Sequence, residues 1–429
     1  MKLRHLAVLL VCLTPLVSIA TPIHNFLDIQ PRATAKATTP LDKAYDALND
    51  GKYDQARQLF SEAAKAEPAN PLPLLGLADI ARLQHKDVEA TDWVKKAYKV
   101  APQSVDTLVA MARLNMATKQ WKEAERFALE AAKADPKAVA PQLDLGELYL
   151  NVLHKPDLAA EAFKKASELK PDHAGARFGL GMALLAKQNP ADAARAMNEA
   201  VRLAPENPLS HYGLGQAEAA RGDYRAAVRA YDRAIALDPK FSTAMVAGAE
   251  ARQATGDLRA AVELVDKAAA VDPNSAQVRF KQGMLHHAAG DAGGAYAGYL
   301  AAIKAEPKFA LAYNNAAALA ASRKERLDDA LAWAQKAVAL SPSENTYLDT
   351  LAGVHIARGN RAEATKLLEK IAATEHPQAD SLYQLGLLRQ AAGQNKEAVQ
   401  AYRRALQIDP AFAGARDANT RIAQLDTKR

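Results

Sequence analysis

The sequence predicts an all-α fold, a solenoid of about eleven helix–turn–helix repeats closed by a C-terminal capping helix. Three observations carry that prediction. Prolines recur at Pro68, Pro102, Pro136, Pro171, Pro205, Pro239, Pro273, Pro307, Pro342, Pro377 and Pro410, in steps of 33 to 35 residues. Twelve or thirteen residues before each proline stands an alanine, from Ala56 to Ala398, and 24 or 25 before it an Ala or Gly, from Ala44 to Gly386. A third small residue stands seven after that alanine in almost every unit, and Ile371 breaks it in the tenth. Such a period marks stacked supersecondary units that bury a core only by contacting their neighbours.

The elements follow in chain order. Residues 1–20, MKLRHLAVLLVCLTPLVSIA, begin with Lys2 and Arg4 and end in Ser18-Ile19-Ala20. The apolar run between is too short to span a bilayer, so a signal peptide and a periplasmic or secreted destination are expected. Cys12 is the single cysteine, and its removal would exclude disulfides, thiol nucleophiles and cysteine metal sites together. Residues 21–39 are rich in Thr, Ala and Pro, have no sustained period, and read as a leader or linker. Residues 37–410 hold the repeats. Each unit is expected to pair two helices of about a dozen residues across a turn. Gly51, Gly222, Gly256, Gly290, Gly359 and Gly393 supply left-handed turn positions. The proline ends the second helix or opens the next, because it lacks a backbone donor. Extra residues in NVLHKPD and SRKERLD lengthen the turns of the fourth and ninth units. Residues 411–429 start like a first helix without a second, a polar-faced cap.

The stretch SHYGLGQAEAARGDYRAAVRAYDRAIALDP (210–239) resembles the idealised unit of the tetratricopeptide repeat family, and the resemblance covers residues 37–410 as eleven units. It implies a right-handed superhelix whose first helices line a concave groove, where peptide or protein partners lie. Residues three before, one after and four after the first small site share a helical face. The resemblance makes Leu143, Phe178, Met182, Tyr212, Gln216, Phe280, Met284, Tyr383 and Leu387 the candidate partner-binding groove. The rival reading packs these side chains between adjacent first helices. Lys281 and the Asn314-Asn315 pair stand apart from one another, which does not support a clamp for a terminal carboxylate. SENTYLDTLAGVHIARGN (343–360) is similar to the LDTL units of exported repeat proteins in exopolysaccharide and exosortase systems.

The chemistry is sparse. A net charge of +6 with interspersed signs reads as solvated helix faces and argues against nucleic acid. The GLG runs at 179–181 and 213–215 lack phosphate-loop spacing and a preceding strand, so they serve packing. His286 and His287 diverge by about 100° on a helix and share no metal. With no nucleophile elbow, metal motif or paired carboxylates, neither an enzyme nor a cofactor is expected. The expected function is an exported scaffold or adaptor in envelope or exopolysaccharide assembly. The alternative is a periplasmic chaperone-like binder of extended client peptides.

Overall fold

The structure, a computed structural model, describes residues 39–426, which form two compact units, residues 39–238 and 239–426. The signal peptide expected at 1–20, and the leader as far as residue 38, lie outside the described residues.

The first unit holds six helical hairpins. They are α1 (Pro40–Asn49) with α2 (Tyr53–Ala66), α3 (Leu72–Leu83) with α4 (Asp87–Val100), and α5 (Val105–Ala117) with α6 (Trp121–Ala134). Next come α7 (Ala140–Glu147) with α8 (Pro156–Leu169), α9 (Ala174–Ala186) with α10 (Pro190–Leu203), and α11 (Pro208–Ala220) with α12 (Tyr224–Leu237). The second unit holds α13 (Ser242–Ala254) with α14 (Leu258–Val271), α15 (Ala276–Ala288) with α16 (Ala292–Ala305), and α17 (Ala310–Arg323) with α18 (Leu327–Leu340). It ends with α19 (Asn345–Ala357) and α20 (Arg361–Ala372), α21 (Ala379–Ala391) and α22 (Asn395–Ile408), then the single α23 (Ala415–Asp426). No strand occurs among the described residues. Within each unit, a second helix packs on its own first helix and on the first helix that follows.

Size complementarity explains the small-residue register. A Cβ added at Gly146, Gly181, Gly215, Gly283 or Gly386 would sit under 3.0 Å from Phe163, Met197, Tyr231, Tyr299 or Tyr402 respectively. Each of those large side chains lies on the second helix of the same hairpin. Where the second-helix residue is smaller, as at Ala128, Val265 or Leu368, the first-helix site is Ala112, Ala249 or Ala352. Both members of all these pairs are buried, so volume is conserved across the seam.

The turns within the hairpins use one backbone solution with two kinds of residue. The six expected glycines have φ between +73° and +87°. In the other five turns His85, Lys119, His154, Gln188 and Lys324 adopt the same left-handed region at φ +51° to +59°, a strained choice for side chains with a Cβ. The extra residue of the fourth repeat does not simply lengthen the turn. A π-helical segment, Leu148–Val152, absorbs it, and the Lys155 amide donates to the Tyr149 carbonyl at 2.7 Å. In the ninth repeat Lys324 and Arg326 both turn left-handed. Ile371, the exception to the third small site, is fully buried beside Leu368.

At the end of the chain Phe412 stacks near Tyr383, with ring centroids 5.5 Å apart, and the Tyr383 hydroxyl donates to Asp417. Thus α23 occupies the position of a next first helix. Only its Ala415 and Ala418 are buried, and apart from the exposed Ala423 the rest of its surface is polar or half-covered, as a cap requires.

Candidate functional site

The candidate groove residues separate into two rows. The row three before the small site turns inward, Phe178 and Phe280 toward the following repeat and Tyr212 onto Tyr231 of its own hairpin. Leu143, Phe178, Tyr212 and Phe280 are only 2–8 % exposed. Phe178 fills the space beside Gly213 of the next first helix, where an added Cβ would lie 2.7 Å from its ring. Phe280 lies 5.8 Å from Tyr299 and 5.0 Å from Phe309, ring to ring. Tyr383 is half-buried between Tyr402 and Phe412. Phe178, Phe280 and Tyr383 thereby staple one repeat to the next.

The row one and four after the small site stays more open. Gln216, Met284 and Leu387 are half-buried, whereas Met182 is 2 % exposed. The Gln216 amide donates to the Tyr212 hydroxyl at 3.1 Å. In the same row Met116 is half-buried, and Arg113 and Gln253 are exposed. First helices touch in succession from α1 to α11 in the first unit, but the buried Glu147, Leu150 and Met182 interrupt the open row in the fourth and fifth repeats.

Charges on this face are placed by pairing between repeats. Arg113 Nε donates to both carboxylate oxygens of Asp144, at 3.1 and 2.9 Å, and Asp144 is 1 % exposed. In the second unit Lys281 meets Glu250 at 2.5 Å. Each pair joins the residue one after a small site to the residue two before the next, 31 positions on. Sequence reasoning missed this rule, although opposite charges at a fixed offset carried its signal. Burial raises the Asp79 carboxyl above its ordinary range, with Arg82 and Arg113 opposing. Burial likewise raises Asp349, whose carboxylate accepts from the Ser381 hydroxyl at 2.6 Å.

The remaining sequence motifs resolve into packing and pairing. A Cβ at Gly179 would strike Phe163, and one at Gly213 would strike Phe178 and Met197. His286 lies between two carboxylates, Asp266 at 2.9 Å and Asp291 at 2.8 Å. His287 faces the Tyr299 hydroxyl at 3.2 Å. No group of three His, Cys, Asp or Glu suited to a metal occurs among the described residues. None of their helices is long and apolar enough to cross a membrane.

Tetratricopeptide repeat family profiles match residues 41–105, 143–208 and 182–241, residues 218–282, and residues 379–412. No curated protein sequence matches. Similar solved structures include MamA, 25% identical over 41% of this chain and 96% of that chain, with a TM-score of 0.37. Yeast Tom70 is 16% identical over 91% of this chain and 95% of that one, with a TM-score of 0.42. Pseudomonas aeruginosa PilF is 16% identical over 52% and 99%, with a TM-score of 0.46.

Proposed function

The chain belongs to the tetratricopeptide repeat family, and from that premise we propose that it is an exported, non-enzymatic scaffold holding a protein partner on its first-helix face. One observation carries the reading. The inward row of candidate residues is covered by packing, while the adjoining row keeps Met116, Gln253, Met284 and Leu387 partly or fully exposed beside fixed charges. Adaptable apolar side chains flanked by oriented ion pairs suit a protein surface, where shape is read by the former and register by the latter. The positively charged start, apolar run and small-residue end of residues 1–20 support export, and the LDTL stretch at 348–351 supports a place in cell-envelope or exopolysaccharide assembly.

The test is photocrosslinking in the cell of origin. A benzophenone amino acid at Met116 or Gln253 is expected to trap one stoichiometric protein partner. The same probe at Ala297, exposed on the outer side of α16, should trap none. Crosslinks confined to Ala297 would overturn the assignment of the face. Fractionation of the tagged chain tests export, and recovery from the cytoplasm alone would remove that part of the proposal.

A further inference from the structure

We propose that the outer face of α12, through Arg225, Arg229 and Arg233, docks a short acidic segment of a protein partner. This contact is additional to the first-helix face and rests on the scaffold reading only for the class of partner. The three arginines stand one helical turn apart and all are exposed. The same three outward positions carry Lys122, Arg126 and Glu130 in the third repeat, and Arg259, Glu263 and Lys267 in the seventh. Only the sixth repeat fills all three with one sign of charge.

The pairing differs as well. Arg126 is held by Glu123 and Glu130, Arg195 by Asp192, Arg202 by Glu199 and Arg259 by Glu263, each within its own helix. Arg233 reaches Glu206 at 2.8 Å, but Arg225 and Arg229 have no acidic partner among the described residues. Like charges one turn apart weaken a helix, so this arrangement works against the fold that carries it. A ligand bearing carboxylates reverses the repulsion.

Geometry favours an extended peptide. Successive arginines rise about 6 Å apart along the helix. Alternate side chains of an extended strand are spaced about 6.6–6.8 Å. Carboxylates at every second residue can therefore meet successive guanidinium forks. Asp223, Asp232 and Glu206 flank the stripe, so a bilayer or duplex broad enough to cover it would also meet those carboxylates.

The experiment uses the full chain and a fluorescein-labelled peptide of alternating Glu and Ser, followed by anisotropy at low and physiological salt. Saturable, salt-sensitive binding is expected, weakened about tenfold in the Arg225→Glu/Arg229→Glu double variant. Arg259→Glu, which removes a neutralised arginine elsewhere, should bind within about twofold of wild type. Arg225→Ala/Arg229→Ala should fall between, with circular dichroism unchanged. Absent binding, binding indifferent to α12, or tighter capture of phosphatidylglycerol vesicles or oligothymidylate would overturn the proposal. The scaffold reading fails separately, through the crosslinks at Met116 and Gln253.

Discussion

Repeats two and eight share one register of small residues, yet their second helices are held very differently. In repeat eight Tyr299 is fully buried, and Gly298 lets α16 approach so closely that an added Cβ would lie 2.4 Å from the Gly283 backbone nitrogen. Asp291 caps α16 by accepting from the Gly294 amide at 3.0 Å, and its other oxygen meets His286. In repeat two Val94 stands where repeat eight has Tyr299 and is only half-buried. Ala90 is partly open, although its counterpart Ala295 is fully buried. Val88 is 79 % exposed, and Lys86 gives α4 no side-chain cap. The small residues permit close approach, but a large partner and a capped turn are needed to enforce it.

Removing the large partner gives the largest expected effect. Tyr299→Ala should destabilise the second unit by about 3–5 kcal/mol, because no neighbour can fill the space. Val94→Ala should cost about 1 kcal/mol or less, since part of that side chain is already in water. Equal shifts in urea midpoint would break the comparison. Next comes overpacking. Gly298→Ala should cost about 1–3 kcal/mol, because the new Cβ meets backbone and not a flexible side-chain tip. On the same helix Gly293→Ala meets only Asp291 Oδ1, at 3.5 Å, and should instead stabilise by about 0.5–1 kcal/mol through helix propensity. If both substitutions stabilise, close approach is not what repeat eight requires.

How much of this the sequence discloses depends on whether a contact is local. The hairpins and their small sites are legible because one period imposes the same steric demand in every unit, as Gly215 opposite Tyr231 and Gly386 opposite Tyr402 illustrate. The π-helical solution at Leu148–Val152 is not, since an inserted residue can be absorbed in a turn or in a helix with the same count. The candidate groove was legible only as a face. Helical spacing groups Phe178 with Met182, but only the stacking shows that both are covered, while Gln216 and Leu387 in later repeats remain half-open. His286 and Asp266 meet across 20 positions, a distance at which no periodic pattern operates.

That histidine supplies the next, smaller effect. Burial pushes His286 toward its neutral form, but Asp266 and Asp291, one at each ring nitrogen, outweigh it and raise its pKa above 6.5. Both hydrogen bonds can be donated at once only by the imidazolium. Its stabilising contribution is therefore complete below the ordinary pKa of 6.5 and is lost as pH rises through the raised value. His286→Gln should remove about 1 kcal/mol at mildly acidic pH and flatten the decline in stability above pH 6.5. An unchanged slope would show that the clamp does not tighten repeat eight.

The smallest effect tests the turns, and it should have opposite signs in the two repeats. His85 holds φ +57° before α4, and Gly290 holds φ +79° before α16. A side chain with a Cβ in the left-handed region costs about 1–2 kcal/mol, partly offset by the entropy a glycine adds to the unfolded chain. His85→Gly should thus stabilise repeat two by about 0.5 kcal/mol, read as a higher urea midpoint. Nothing lies within 4 Å of a Cβ at Gly290, so a loss in Gly290→Ala, of about 1 kcal/mol, would report backbone strain alone. Should His85→Gly instead destabilise, the imidazole must hold α4 by contacts that compensate for its missing cap. The looseness of repeat two would then belong to Val94 and Val88 and not to its turn.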